Sequence, residues 1–198
     1  ADLGTQMNWL STAADAASAA TVGYLFRQAA ARGLVLPDCT GQRGCGWTIL
    51  ALGKLGASEL NYSSDVDMII LHDPENNALT NPETSQTFFV DLTRHLVSLL
   101  SSATRDGIGW RVDLRLRPDP GATAVSIQRE AAIGYYESIA RTWERAAFIR
   151  ARPVAGDIEM GSAFLADLQP FIWRRTLDFT VLDDMATMLS RPVASPGW

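Results

Sequence analysis

From Leu50 to His72 the chain reads LALGKLGASELNYSSDVDMIILH: an apolar end, a glycine-marked break, a polar stretch and a longer apolar run. Short runs rich in Ile, Leu and Val predict strands, here Thr48–Leu52 and Asp65–Leu71, with GKLGASEL between them as a turn and short helix. Upstream, residues 1–37 are rich in alanine and place Val22, Leu25, Phe26 and Ala29 at helical spacing, which predicts one or two helices. The stretch PDCTGQRGCG follows, where Gly41, Gly44 and Gly46 mark a loop. Downstream, Asn81 is a good N-cap with Pro82 at the first helical position. Phe88, Phe89, Leu92, Leu96 and Leu99 then recur at helical spacing as core residues. A third strand is expected over Gly109–Arg117, closed by Pro118, Pro120 and Gly121. Residues 128–189 are read as helical, with Tyr135, Tyr136, Trp143, Ala147 and Phe148 as an apolar stripe. The pattern predicts an α+β fold, a small mixed or antiparallel sheet with helices on one side plus flanking helices. Three parts are expected: a helical segment and loop over 1–46, a core over 47–126 and a helical segment over 127–198.

Polar residues inside this pattern carry the candidate chemistry. Strand side chains alternate faces, so Asp65 and Asp67 point one way while Val66, Met68 and Ile70 point the other. In WRVDLRLRP, the same alternation puts Asp113, Arg115 and Arg117 on one face and Val112, Leu114 and Leu116 on the other. Three carboxylates and two arginines then line one cleft. Carboxylate oxygens suit hard cations such as Mg²⁺, and arginine forks suit phosphate oxygens. Gly53 and Lys54 sit before this pair of aspartates without satisfying a Walker loop; the glycine lets backbone approach a phosphate or simply makes a strand-to-helix turn. Ser63 and Ser64 have no histidine partner for nucleophilic chemistry, so their hydroxyls either touch phosphate or cap a turn. Arg141, Arg145, Arg150 and Arg152 are read as solvated or salt-bridged, for instance with Glu144, with Arg150 and Arg152 the two that could reach phosphate. Trp143 is read as a core anchor.

Composition narrows the function. The chain has 198 residues and a net charge of −5, which argues against a general nucleic-acid binder. Cys39 and Cys45 form no C-x-x-C pair and are expected as free thiols, while His72 and His95 give no zinc signature. No long apolar run or signal peptide is present, so the reading is cytoplasmic, without membrane contact. Ala at position 1 and the ending RPVASPGW are what a truncated or processed chain would show.

Three ordered motifs carry a family resemblance: GKLGASELNYSSDVDM, RVDLRLRPDPGA and YYESIARTWERAAFIRARPVAGD. Together, over about 47–157, they resemble the bacterial glutamine synthetase adenylyltransferase/adenylyl-removing enzymes, and more weakly through PFIWRRTLDF. The resemblance implies a nucleotidyltransferase domain of the DNA polymerase beta-like superfamily, with Asp65, Asp67 and Asp113 as catalytic metal carboxylates and Mg²⁺ as cofactor. Gly53, Lys54, Ser64, Arg115 and Arg117 would contact phosphate or nucleotide. Gly53-Lys54 stands where the superfamily usually has Gly-Ser, so the Lys54 assignment does not carry over from the motif. Full-length members hold two such domains with opposing activities. Glu59-Leu60-Asn61-Tyr62-Ser63-Ser64-Asp65 follows the E-L-N-x-S-S-D-x-D pattern of the adenylyl-removing half rather than the E-L-x-Y-G-S-D-L-D of the adding half. The implied reaction is phosphorolysis: inorganic phosphate in, ADP out, AMP leaving a glutamine synthetase tyrosine. ATP-dependent adenylylation with the same scaffold, and a non-catalytic docking fragment, are the alternatives. The implied partners are glutamine synthetase, ADP or ATP, phosphate and the PII signalling protein, whose contact no residue identifies.

Overall fold

The structure, a computed structural model, describes residues 2–75, 78–105, 107–140 and 142–173. It opens with helix α1 (Leu3–Ala31), then β1 (Trp47–Ala51), the short α2 (Gly53–Gly56) and β2 (Val66–His72). A 3₁₀ turn (Pro82–Thr84) leads into α3 (Ser85–Ser101), followed by four two-residue strands: β3 (Ala103–Thr104), β4 (Gly107–Ile108), β5 (Val112–Asp113) and β6 (Ile127–Gln128). Helices α4 (Arg129–Ser138) and α5 (Thr142–Phe148), strand β7 (Arg152–Gly156), α6 (Ile158–Asp167) and α7 (Gln169–Ile172) complete it. Among the described residues no helix is long and apolar enough to cross a membrane.

The sheet is mixed. β1 runs antiparallel to β2, with Trp47 opposite His72 and Ala51 opposite Met68, and antiparallel to β7 on its other side. The outer edge of β2 is shared by two short parallel strands: β5 beside Val66 and Asp67, and β6 beside Leu71 and His72. The strands β1 and β2 read as nearly continuous apolar runs because both faces of the sheet are covered. Ile49, Ala51, Val66, Met68 and Ile70 pack with α1 and α3, while Leu50, Leu52, Ile69 and Leu71 pack with α4, α5, α6 and α7. Helices on one side only, the expectation from sequence, is therefore corrected to helices on both.

Three further expectations change. The strand over Gly109–Arg117 shrinks to Val112–Asp113, because the Asp113 carboxylate takes the Arg115 backbone N–H (2.8 Å) and Arg117 N–H turns back to the Leu114 carbonyl. The turn also breaks the predicted face, so that Val112 and Leu114 pack on one core cluster and Leu116 on the other. The segment from Gln128 onward is not wholly helical, since β7 joins the central sheet. Its signal is weak: Pro153 interrupts the pattern, and the register shifts so that Ala155 faces Ile49 and Pro153 faces Leu50. Proline is tolerated because β7 is an edge strand. On α3, Leu100 takes the buried place expected for Leu99, which is exposed. Asn81 does cap the turn before α3, accepting from Glu83 N–H. Both cysteines are free thiols. Arg141, the Trp143 side chain and residues 174–198, with the remainder of the expected helical segment, lie outside the described ones.

Candidate functional site

The parallel pairing of β2 with β5 sets Asp67 directly beside Asp113, with Asp65 one residue ahead of β2. Behind Asp67 the chain leaves β1 for α2 at Gly53. Leu52 N–H donates to the Asp67 carbonyl (3.0 Å), and Gly53 adopts a φ of +53°, in the left-handed region. A Cβ on Gly53 would lie 2.5 Å from Asp67 Oδ2. Glycine at 53 thus makes the turn and at the same time leaves room for the carboxylate.

The segment before Asp65 is organised by one side chain. Asn61 Oδ1 accepts from Ser63 N–H (3.2 Å), Ser63 O–H (3.2 Å) and Ser64 O–H (2.7 Å). Leu60 N–H donates to Ser11 Oγ on α1 (3.1 Å), which ties the segment to the body. Asp65 Oδ1 meets Arg111 Nε at 2.6 Å, and the same guanidinium donates to the Ser63 carbonyl. Arg115 grips both Asp113 oxygens, with Nε to Oδ1 at 3.0 Å and Nη2 to Oδ2 at 2.5 Å.

Asp67 and Asp113 do not share one electrostatic state. Burial, and then the charges of Asp113 and Asp65, push the Asp67 carboxyl above its ordinary range, partly offset by Arg115 and Lys54. Hydrogen bonding from the Arg115 side chain holds Asp113 below the ordinary range despite burial. Like charges crowded at a half-buried position are what a divalent cation relieves, and oxygen donors are its preferred ligands. Among the described residues no three acidic, histidine or cysteine side chains stand ready to hold a metal. Arg111 and Arg115 pair with two of the three carboxylates, Asp65 and Asp113. The donor chemistry, three carboxylates at one end of the sheet, is of the kind a hard cation takes.

A family model described as glutamate-ammonia ligase adenylyltransferase matches residues 1–167. The chain belongs to that family. It is 53% identical over 167 residues to the bifunctional glutamine synthetase adenylyltransferase/adenylyl-removing enzyme of Bradyrhizobium sp. (strain BTAi1), covering 83% of this chain and 17% of that one. The enzyme of the same name from Xanthobacter autotrophicus is 49% identical over 181 residues, 90% of this chain and 18% of its own. That of Rhizobium meliloti is 46% identical over 179 residues, 89% and 18%. The chain therefore spans less than a fifth of the length of these relatives.

In this glutamate-ammonia ligase adenylyltransferase family member, the residues singled out from sequence separate into two groups. Gly53, Lys54, Ser64, Asp65, Asp67, Asp113 and Arg115 lie around the β2–β5 end, although Ser64 is engaged with Asn61. Arg117 does not join them: its guanidinium donates to the carbonyls of Leu114, Pro120, Thr123 and Ala124 and braces the loop after β5. Arg150 pairs with Glu59 at 2.8 Å. Arg152 forks onto Asp15 of α1 and caps the carbonyls of Leu55 and Gly56, a structural clamp between α1, α2 and β7. Glu144 accepts from the Tyr135 hydroxyl. Arg111 was missed from sequence. Its signal was present, since it stands two residues before Asp113 and shares that residue's strand parity.

Proposed function

We propose that this chain is the adenylyl-removing nucleotidyltransferase domain of a bifunctional glutamine synthetase adenylyltransferase/adenylyl-removing enzyme, acting by phosphorolysis. The observation that carries the reading is the register of Asp67 against Asp113, with Asp65 alongside, at an exposed end of the sheet. The direction is supported by the Asn61 turn: the Asn and both Ser residues that mark the adenylyl-removing pattern form one hydrogen-bonded unit against Asp65.

An oxygen of inorganic phosphate attacks the phosphorus of AMP esterified to a tyrosine of glutamine synthetase. The bond from phosphorus to the tyrosine oxygen breaks, giving ADP and the free phenol. Asp65, Asp67 and Asp113 would hold Mg²⁺, which when bound supplies charge neutralisation at the reacting phosphorus and the departing phenolate. Lys54, exposed on α2 near Asp67, and Arg115 add cationic charge where phosphate oxygens gather. Gly53 keeps the Asp67 side unobstructed. Phosphate arrives as an anion, so no general base is assigned. Cytoplasmic location and control by PII belong to the same proposal.

The test is product analysis with adenylylated glutamine synthetase. Adding phosphate and Mg²⁺ should release ADP at a rate that depends on phosphate. Pyrophosphate from ATP with unmodified glutamine synthetase, without phosphate-dependent ADP, would assign the chain to the adding direction instead.

A further inference from the structure

Arg115 is placed unlike its neighbours. Its side chain is 81% exposed, and its guanidinium hydrogen bonds go to Asp113, whose own side chain is only 13% exposed. Arg117, two residues on, is locked onto main-chain carbonyls, and Arg111 bridges Asp65 to the Ser63 carbonyl. Arg115 can therefore leave its partner without disturbing a packed element. The backbone turn would persist, because Asp113 Oδ1 also accepts the Arg115 N–H.

Asp113 cannot serve a guanidinium and a divalent cation equally well, since the two positive charges repel each other at one carboxylate. We propose that Arg115 is a displaceable counter-ion. Without metal it neutralises Asp113; when a divalent cation occupies the carboxylates, the guanidinium is expelled towards solvent and becomes a receptor for inorganic phosphate. The cation thereby strengthens the anion site through one salt bridge. This rests on the reading of Asp65, Asp67 and Asp113 as a cation site. By linkage, each ligand then strengthens the other by the same factor.

Direct contact between metal and phosphate would also produce linkage, so the decisive experiments examine each ligand alone by titration calorimetry on the full 198-residue chain. Breaking an ion pair whose cation stands in solvent changes affinity by about two- to fivefold. Mg²⁺ alone should bind R115Q about two- to fivefold tighter than wild type, because its competitor is gone. Phosphate alone, in EDTA, should bind D113N about two- to fivefold tighter than wild type, because the guanidinium is free, while D113N loses Mg²⁺ affinity. The double variant R115Q/D113N should lose the phosphate gain.

Unchanged or weaker Mg²⁺ binding by R115Q, or no phosphate gain in D113N, overturns the proposal. Mg²⁺ binding that depends on Asp67 alongside either result leaves the cation site standing and removes only the counter-ion role. Absence of Mg²⁺ binding to wild type, or equal binding by D67N, removes both.

Discussion

One edge of β2 meets two short parallel strands, and its two ends treat a titratable residue in opposite ways. At the β5 end, Asp67 is half-buried beside two further carboxylates, with arginines and solvent at hand. At the β6 end, His72 is fully buried, stacked on Phe89 with ring centroids 5.1 Å apart, and its Nδ1 lies 2.8 Å from Ser126 Oγ. Burial drives the His72 pKa down to about 4, so the ring is neutral at physiological pH. The same strand thus keeps charge where counter-charges and water are available and discards it where they are not. In the proposed function only the first end carries phosphoryl chemistry.

The largest effect should come from Asp67→Asn, which keeps shape and removes the charge that the β5 end is built around. Phosphorolysis should fall by about 10³-fold, roughly 4 kcal/mol in the barrier, in a steady-state ADP assay. Retained activity would detach Asp67 from the chemistry. The next effect belongs to the β6 end. His72 is neutral in the folded protein and protonates freely when unfolded, so its contribution is complete above pH 6.5 and is lost as pH falls towards about 4. Urea denaturation at pH 7 and near pH 4 should show wild type losing roughly 3 kcal/mol more than His72→Gln across that interval. Parallel losses in the two proteins would mean that His72 is not held neutral. Phe89→Leu, which removes the stacked ring but keeps an apolar filler, should cost about 1 kcal/mol, with phosphorolysis unaffected. Smallest is Arg150→Ala. Its exposed pair with Glu59 should contribute less than about 0.5 kcal/mol, and a larger loss, or a rise in the KM for phosphate, would restore it as a site residue.

Much of this contrast was legible in the sequence. Alternation identified the shared face of Val66, Met68 and Ile70, and the spacing of Phe89, Leu92 and Leu96 identified α3, because both signals are local. The remainder depended on partners far along the chain. That Arg152 serves α1 through Asp15 could not be read from arginines on an expected helix. The role of Gly53 is set by a carboxylate from the neighbouring strand as well as by its own turn. Arg115 and Arg117 look equivalent under strict alternation; the strand ends at Asp113, ahead of both, and the turn that follows sends one to the Asp113 carboxylate and the other to the loop. Strand β7 was hidden because Pro153 and the register shift erase its period.

The most direct test of the account is the melting temperature of wild type and Asp67→Asn at pH 7, each in EDTA and in Mg²⁺. Because the folded protein raises the Asp67 pKa, its ionisation opposes folding as pH rises above the ordinary carboxylate range. The variant should therefore melt above wild type in EDTA, and Mg²⁺ should raise only the wild type. A variant that melts below wild type in EDTA and gains as much from Mg²⁺ would contradict a cation site centred on Asp67.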